Sequence, residues 1–98
     1  MPWKVLKEIA LNDGTKVVVV DVLGDKSIPL HEANHNIYKV DEQGRLLWQV
    51  RADPGIYERS PFTGLRLEGG KLIAYRWDGV EYVLDPATGQ ATPQDFVR

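Results

Sequence analysis

The chain has no cysteine. That removes disulfide bridges, thiol nucleophiles and cysteine-ligated zinc together, and leaves any metal or hydrolytic chemistry to histidines and carboxylates. No run of residues approaches the ~18 apolar positions that a membrane-spanning helix needs. Neither charge is in excess: 12 basic residues face 14 acidic ones for a net charge of −2, so no general attraction to nucleic acid or to an anionic membrane is expected. The opening MPWKVLKE is charged at Lys4, Lys7 and Glu8 and lacks the apolar core of a signal peptide, so a soluble cytoplasmic protein is the expectation. No glycine-rich phosphate loop is present, and Gly69-Gly70 lacks the following helix that an anion site would use. Ser27 and Ser60 stand at no recognisable triad spacing.

What the chain does have is strand and turn chemistry. With 43% hydrophobic and 27% charged residues it has the composition of a folded domain rather than a disordered one, and 98 residues suit a single domain. The clearest stretch is KLIAYRWDGVEYVLDPATG, residues 71–89. Residues 72–77 and 80–84 are rich in aromatic and branched side chains, and Asp78-Gly79 between them predicts a hairpin closed by a two-residue type I′ turn. Asp85-Pro86-Ala87-Thr88-Gly89 then ends the second strand in a turn.

The same syntax runs through the rest. Trp3, Val5, Ile9 and Leu11 alternate with polar positions and predict a strand, with a short helix as the competitor. After the turn signal Asn12-Asp13-Gly14, residues 15–23 carry Val17, Val18, Val19, Val20 and Val22, the pattern of a central strand buried on both faces. Residues 24–36 are polar and irregular and hold both histidines; a loop of that length is either functional or carries a helical turn. Strand character resumes at 37–40, turns through Asp41-Glu42-Gln43-Gly44, and alternates over 45–51. Residues 53–61, punctuated by two prolines, form a second connection without a regular element. Residues 62–68 predict a strand, and the tail from Gln90 is either a last strand or a short helical turn, anchored by Phe96 and Val97.

Two halves with the same order result, repeat one at about 3–51 and repeat two at about 62–97, with Asp41 and Asp85 at matching places. Each half predicts a four-stranded antiparallel meander, so the fold class is all-β, the two repeats packed as a sandwich, a barrel or a pair of propeller-like blades. Repeats of ~40 to 50 residues mark propeller blades. The strings VDEQGRLLWQV (residues 40–50) and VLDPATGQA (residues 83–91) resemble the repeat of pyrroloquinoline-quinone-type β-propellers: aspartate, a short turn, glycine, a basic or polar residue, then tryptophan. Asp41, Gly44, Arg45 and Trp48 match in the first copy, with the turn one residue short. Asp85, Thr88, Gly89 and Gln90 match in the second, where Thr92 and Pro93 stand in place of the tryptophan. The match covers about a quarter of the chain. Two blades do not close a ring of ~4 to 8, and the family's cofactor sits at the centre of a complete ring, so no cofactor is implied here.

Two constellations bear on function. His31-Glu32-Ala33-Asn34-His35 matches H-E-x-x-H, in which two histidines one helical turn apart ligate zinc and the glutamate activates water. Pro29 opens a helix, but Asn34, His35 and Asn36 favour ending it, and Asp53 and Glu58 are candidates for a third ligand only as downstream acids, with no partner motif around either. The bland alternative is a polar loop with solvated histidines. The second constellation pairs aromatic residues with arginine: Trp48 with Arg51, Tyr57 with Arg59, and Tyr75-Arg76-Trp77. Such residues are enriched at binding hot spots, though strands also favour them as core or cross-strand pairs. The leading expectation is a non-catalytic binding or assembly module acting on a protein partner or on itself, as a homo-oligomer, through Tyr75, Arg76, Trp77, Tyr57 and Arg59, without catalytic residues, cofactor, nucleic acid or membrane. The alternative is a small zinc hydrolase using His31, His35 and Glu32.

Overall fold

A computed structural model describes residues 4–22, 24–55 and 58–94. The architecture is all-β: two four-stranded antiparallel sheets, both open. Sheet one contains β1 (Val5–Ala10), β2 (Lys16–Val20), β3 (Ile37–Val40) and β4 (Leu46–Gln49), with the short helix α1 (Leu30–Asn34) between β2 and β3. Sheet two contains β5 (Phe62–Glu68), β6 (Lys71–Arg76), β7 (Glu81–Leu84) and β8 (Ala91–Pro93). In each sheet the strands lie in sequence order, the topology of a meander. The expected anchors Trp3, Phe96 and Val97 lie outside the described residues.

The hairpin turns differ from expectation in one respect. A type I′ turn needs positive φ at both central residues. At Asp78-Gly79 only the glycine has it, and the loop is a three-residue connection in which Gly79 N–H donates to Arg76 O (3.0 Å) and Arg76 N–H to Val80 O (3.1 Å). The two-residue connection sits instead at Gly69-Gly70, where φ is +57° and +80° and Glu68 pairs directly with Lys71. An aspartate side chain explains the first case: Asp78 Oδ1 accepts from Val80 N–H, which holds Asp78 at negative φ and leaves Gly79 alone to turn the chain.

The repeat is visible in the backbone. Val20 N–H donates to Asn36 O as Arg76 N–H donates to Val80 O, and Val50 N–H donates to Ile37 O as Gln94 N–H donates to Glu81 O. Val18 pairs with Tyr38 as Ala74 pairs with Tyr82. Equivalent residues nevertheless meet different surroundings. Ala74 and Tyr82 lie in the core between the sheets, with Val17, Val19 and Ile37 opposite; Val18 and Tyr38 lie on the far side of sheet one, in a second cluster with Val20, Val22, Ala33 and Ile28. The sheets therefore pack with opposite repeat faces together, stacked in the same sense rather than facing each other about a two-fold axis.

This stacking leaves each sheet one further face. That of sheet one is apolar and is covered by residues 24–36, through Ile28 and Ala33 of α1, which is why the valine run of β2 is buried on both sides. That of sheet two carries Glu81 where sheet one has Ile37, paired with Arg66 at 3.0 and 3.1 Å, and Gln94 donates to the same carboxylate. The Arg66 guanidinium holds the Glu81 carboxyl below its ordinary range, and Ile73, which pairs with Arg66, is buried on this face.

Polar contacts join the sheets at several points. Trp48 stands on Gly89, where an added Cβ would come within 2.7 Å of the indole, and its Nε1–H donates to Pro86 O (2.9 Å). Arg51 N–H donates to Gly89 O, and Ala91 N–H to Arg51 O, both at 2.8 Å. Asn36, 1% exposed, donates through Nδ2 to Val20 O (2.8 Å) and Phe62 O (2.9 Å) and accepts from Phe62 N–H (2.8 Å), so one side chain ties β2 to the start of β5. Asn36→Ala strands a buried amide and two carbonyls and is expected to cost about 3 kcal/mol in urea unfolding. A loss below about 1 kcal/mol would show that the amide is not the tie between the sheets.

Candidate functional site

The H-E-x-x-H segment folds as α1 and the residue after it. Pro29 opens the helix and His35 closes it at φ −130°, ψ 50°, so the helix is five residues long. The two imidazoles stack at 4.5 Å between centroids. His35 Nδ1 lies 2.8 Å from His31 O and Nε2 3.1 Å from Ala52 O, so both edges of that ring are occupied by backbone carbonyls. Glu32 accepts from the Tyr38 hydroxyl and from Gln49 Nε2, each at 3.1 Å. Among the described residues no group of three histidine or carboxylate side chains is placed to hold a metal ion. Neither Asp53 nor Glu58 forms such a group with the histidines, and Asp53 Oδ1 accepts instead from Arg76, Tyr82 and the Gly55 amide.

What the segment does hold is a groove. His31, His35, Gln49, Val50, Arg51, Ala52, Asp53 and Gln90 line a cavity of about 570 Å³ where the two sheets join, open to solvent along one side. Behind Glu32, the phenol of Tyr38 is buried beside a carboxylate, and burial with the Glu32 charge pushes its pKa up to about 12 from 10.0. The folded state thus holds this proton more tightly than the unfolded chain does. The stability it confers is present below pH 10 and is lost as pH rises from 10 toward 12. Alkaline difference absorbance of wild type should show one phenol ionising near 12, absent in Tyr38→Phe and moved lower in Glu32→Gln; an unmoved transition in Glu32→Gln would refute the coupling.

Arg76 corrects a sequence expectation. It sits between Tyr75 and Trp77, yet its side chain is fully buried at the junction of α1, the 53–61 connection and sheet two. Strand alternation explains this: Arg76 takes the repeat position of Val20 and points into the inter-sheet core, while its neighbours point out. Nη1 donates to Asp53 Oδ1 (2.8 Å) and Tyr82 Oη (2.9 Å), and Nη2 to Asn34 O (2.7 Å). The guanidinium lies 4.5 Å over the Phe62 ring and 5.3 Å over that of Tyr82. Nε has no partner, so the planar fork is used only along its outer edge. Burial raises the Tyr82 pKa, against the lowering influence of the Arg76 charge. Arg76→Met is expected to destabilise the fold by about 3 kcal/mol, and Arg76→Lys by a similar amount because an ammonium lacks the fork. Asp53→Asn should cost less, since its amide oxygen still accepts; equal losses in thermal or urea unfolding would overturn this division of roles.

The other residues expected to bind remain outside. Tyr75 packs on Gly64, leaving no room there for a Cβ, and keeps 37% of its surface exposed. Trp77 is 60% exposed, the highest value among the large exposed hydrophobic residues described. It is held at both ends of its turn: its N–H donates to Pro61 O (2.8 Å), and the buried Arg76 precedes it. Gly24, Lys26 and Arg59 join it around a cavity of about 270 Å³. Arg59 is fixed there by Asp25 O at 2.9 Å and Ile28 O at 3.4 Å. Tyr57 lies outside the described residues. The structure thus brings Trp77 and Arg59 to one apex with residues 24–26 and leaves Tyr75 on the outer face of sheet two. The groove at the sheet junction went unread in the sequence, because its lining comes from three separated segments.

Fold and site together define a small two-sheet β domain with a polar junction groove and a fixed, exposed tryptophan. The family model described as a domain of unknown function, DUF7957, matches residues 4–96, and the chain belongs to that family. No curated protein and no solved structure matches it.

Proposed function

We propose that this domain is a non-catalytic binding and assembly module that works through protein–protein contacts, with Trp77 as its anchor. The observation that carries this reading is an indole 60% exposed on a turn whose backbone is fixed on both sides. A large apolar ring held rigidly in water gives contact area to a partner at little ordering cost, and an adjacent arginine is the second residue type enriched at hot spots. Arg59 is itself pre-positioned by two carbonyls. The zinc-hydrolase alternative has no such support, with both edges of His35 facing carbonyls and Glu32 held by Tyr38 and Gln49.

Two further readings belong to this proposal. The sheets are taken as relatives of pyrroloquinoline-quinone-type propeller blades, supported by the repeated hydrogen bonds, the same-sense stacking and the contact of Trp48 with Gly89, which joins the two strings that carry the resemblance. The setting is taken as cytoplasmic; among the described residues no helix is long and apolar enough to cross a membrane.

Trp77→Ala should leave unfolding within about 0.5 kcal/mol of wild type, as expected for an exposed position. Its binding, compared with wild type as immobilised bait and by sedimentation, should weaken by at least about tenfold. Unchanged binding by a folded variant would remove Trp77 as the anchor.

A further inference from the structure

The contact between Trp48 and Gly89 is a filled dock, and the repeat supplies a second one that is vacant. In sheet two, the turn opened by Asp85 receives the indole on Gly89 and bonds its N–H through Pro86 O. The equivalent turn of sheet one is opened by Asp41 and ends at Gly44, which has the same φ of +80°, and an added Cβ there meets nothing within 4 Å. It is one residue shorter, and Asp41 Oδ1 holds it by accepting from Gln43 N–H (2.9 Å) and Arg45 N–H (2.8 Å). Leu46, which pairs with Val40, stands beside it 54% exposed and offers an apolar wall.

The chain also carries an unfilled indole, Trp77. We propose that Trp77 of one copy docks on the 41–44 turn of a second copy, so that the domain self-associates through a tryptophan-on-glycine contact like the one it makes internally. This rests on the reading of Trp77 as the anchor. Charge favours the pairing. The cavity beside Trp77 is lined by Lys26 and Arg59. Of the nearby acids, Asp25 is exposed and engages Ser27 through Oδ1, and Asp78 is half-buried with Oδ1 accepting from Val80 N–H. At the vacant turn Asp41 pairs with Arg45 at 3.0 Å, while Glu42 is exposed and forms no ion pair among the described residues. Docking therefore brings an unneutralised carboxylate to two cations, on an apolar ring against glycine and leucine.

The test is sedimentation velocity over a concentration series, with native mass spectrometry, on wild type, Trp77→Ala, Glu42→Lys and the charge-swapped Glu42→Lys/Lys26→Glu. Wild type should associate. Trp77→Ala should weaken association at least about tenfold, as for a hot-spot residue, and Glu42→Lys a few-fold, as for a rim charge. The charge swap should recover most of the second loss, which a merely structural effect of Glu42→Lys would not allow. If wild type stays monomeric at the highest concentration, self-docking is overturned while Trp77 remains an anchor for another protein. Association lost in Trp77→Ala but unmoved by Glu42→Lys overturns the 41–44 dock alone. Association that survives Trp77→Ala overturns both this inference and the anchor.

Discussion

A sheet that is apolar on both faces has to be covered twice, and sheet one is such a sheet. Val17, Val19 and Ile37 point one way, Val18, Val20 and Tyr38 the other, and all are buried. At roughly 1.5–3 kcal/mol for each large apolar side chain taken out of water, neither set can be left exposed in a domain whose net stability is of order 10 kcal/mol. Sheet two covers the first set. The excursion at residues 24–36 covers the second, and this is why so polar a segment is kept there. Ile28 and Ala33 make that cover, and His35 joins it through Ala52 O to the chain leaving sheet one.

The same constraint explains the polar interior. Stacking two twisted sheets leaves a junction where strands diverge and backbone groups lose their ladder partners, and each must be satisfied. Asn36 does this for β2 and β5. Arg76 does it for the carbonyl of Asn34, and Asn34 in turn for the Ser60 amide and Glu58 carbonyl. A guanidinium suits the place because its flat faces lie on Phe62 and Tyr82 while its edge donates to three groups. Its burial also fixes the turn that follows, so the exposure of Trp77 depends on the interior position of its neighbour.

The fold was legible in the sequence to a large degree. Strands alternate with period two, turns need glycine, and both signals are local, so six of the eight strands, the doubly buried β2 and the 44-residue offset between Asp41 and Asp85 follow from residues read a few at a time, while the reading of β1 leaves a short helix open and that of β8 a helical turn. The turn at Asp78-Gly79 was misread for a local reason as well: a favoured dipeptide does not reveal whether its aspartate will bond forward to the backbone. The histidine motif shows the limit of matching letters, since its spacing survives in a five-residue helix where His35 faces two backbone carbonyls and, among the described residues, no third ligand joins the pair.

The sequence by itself determined the elements and their order, because backbone geometry and side-chain alternation act over a handful of neighbours. Only the tertiary structure decided which faces meet. Tyr38 and Tyr82 occupy the same position in the repeat, yet one lies beneath a helix and the other between two sheets. Arg76 and Trp77 are adjacent, yet one is enclosed and the other stands in water. No local rule separates these pairs; they are separated by what packs against each face of each sheet, and that is settled by contacts between residues 16 to 42 positions apart.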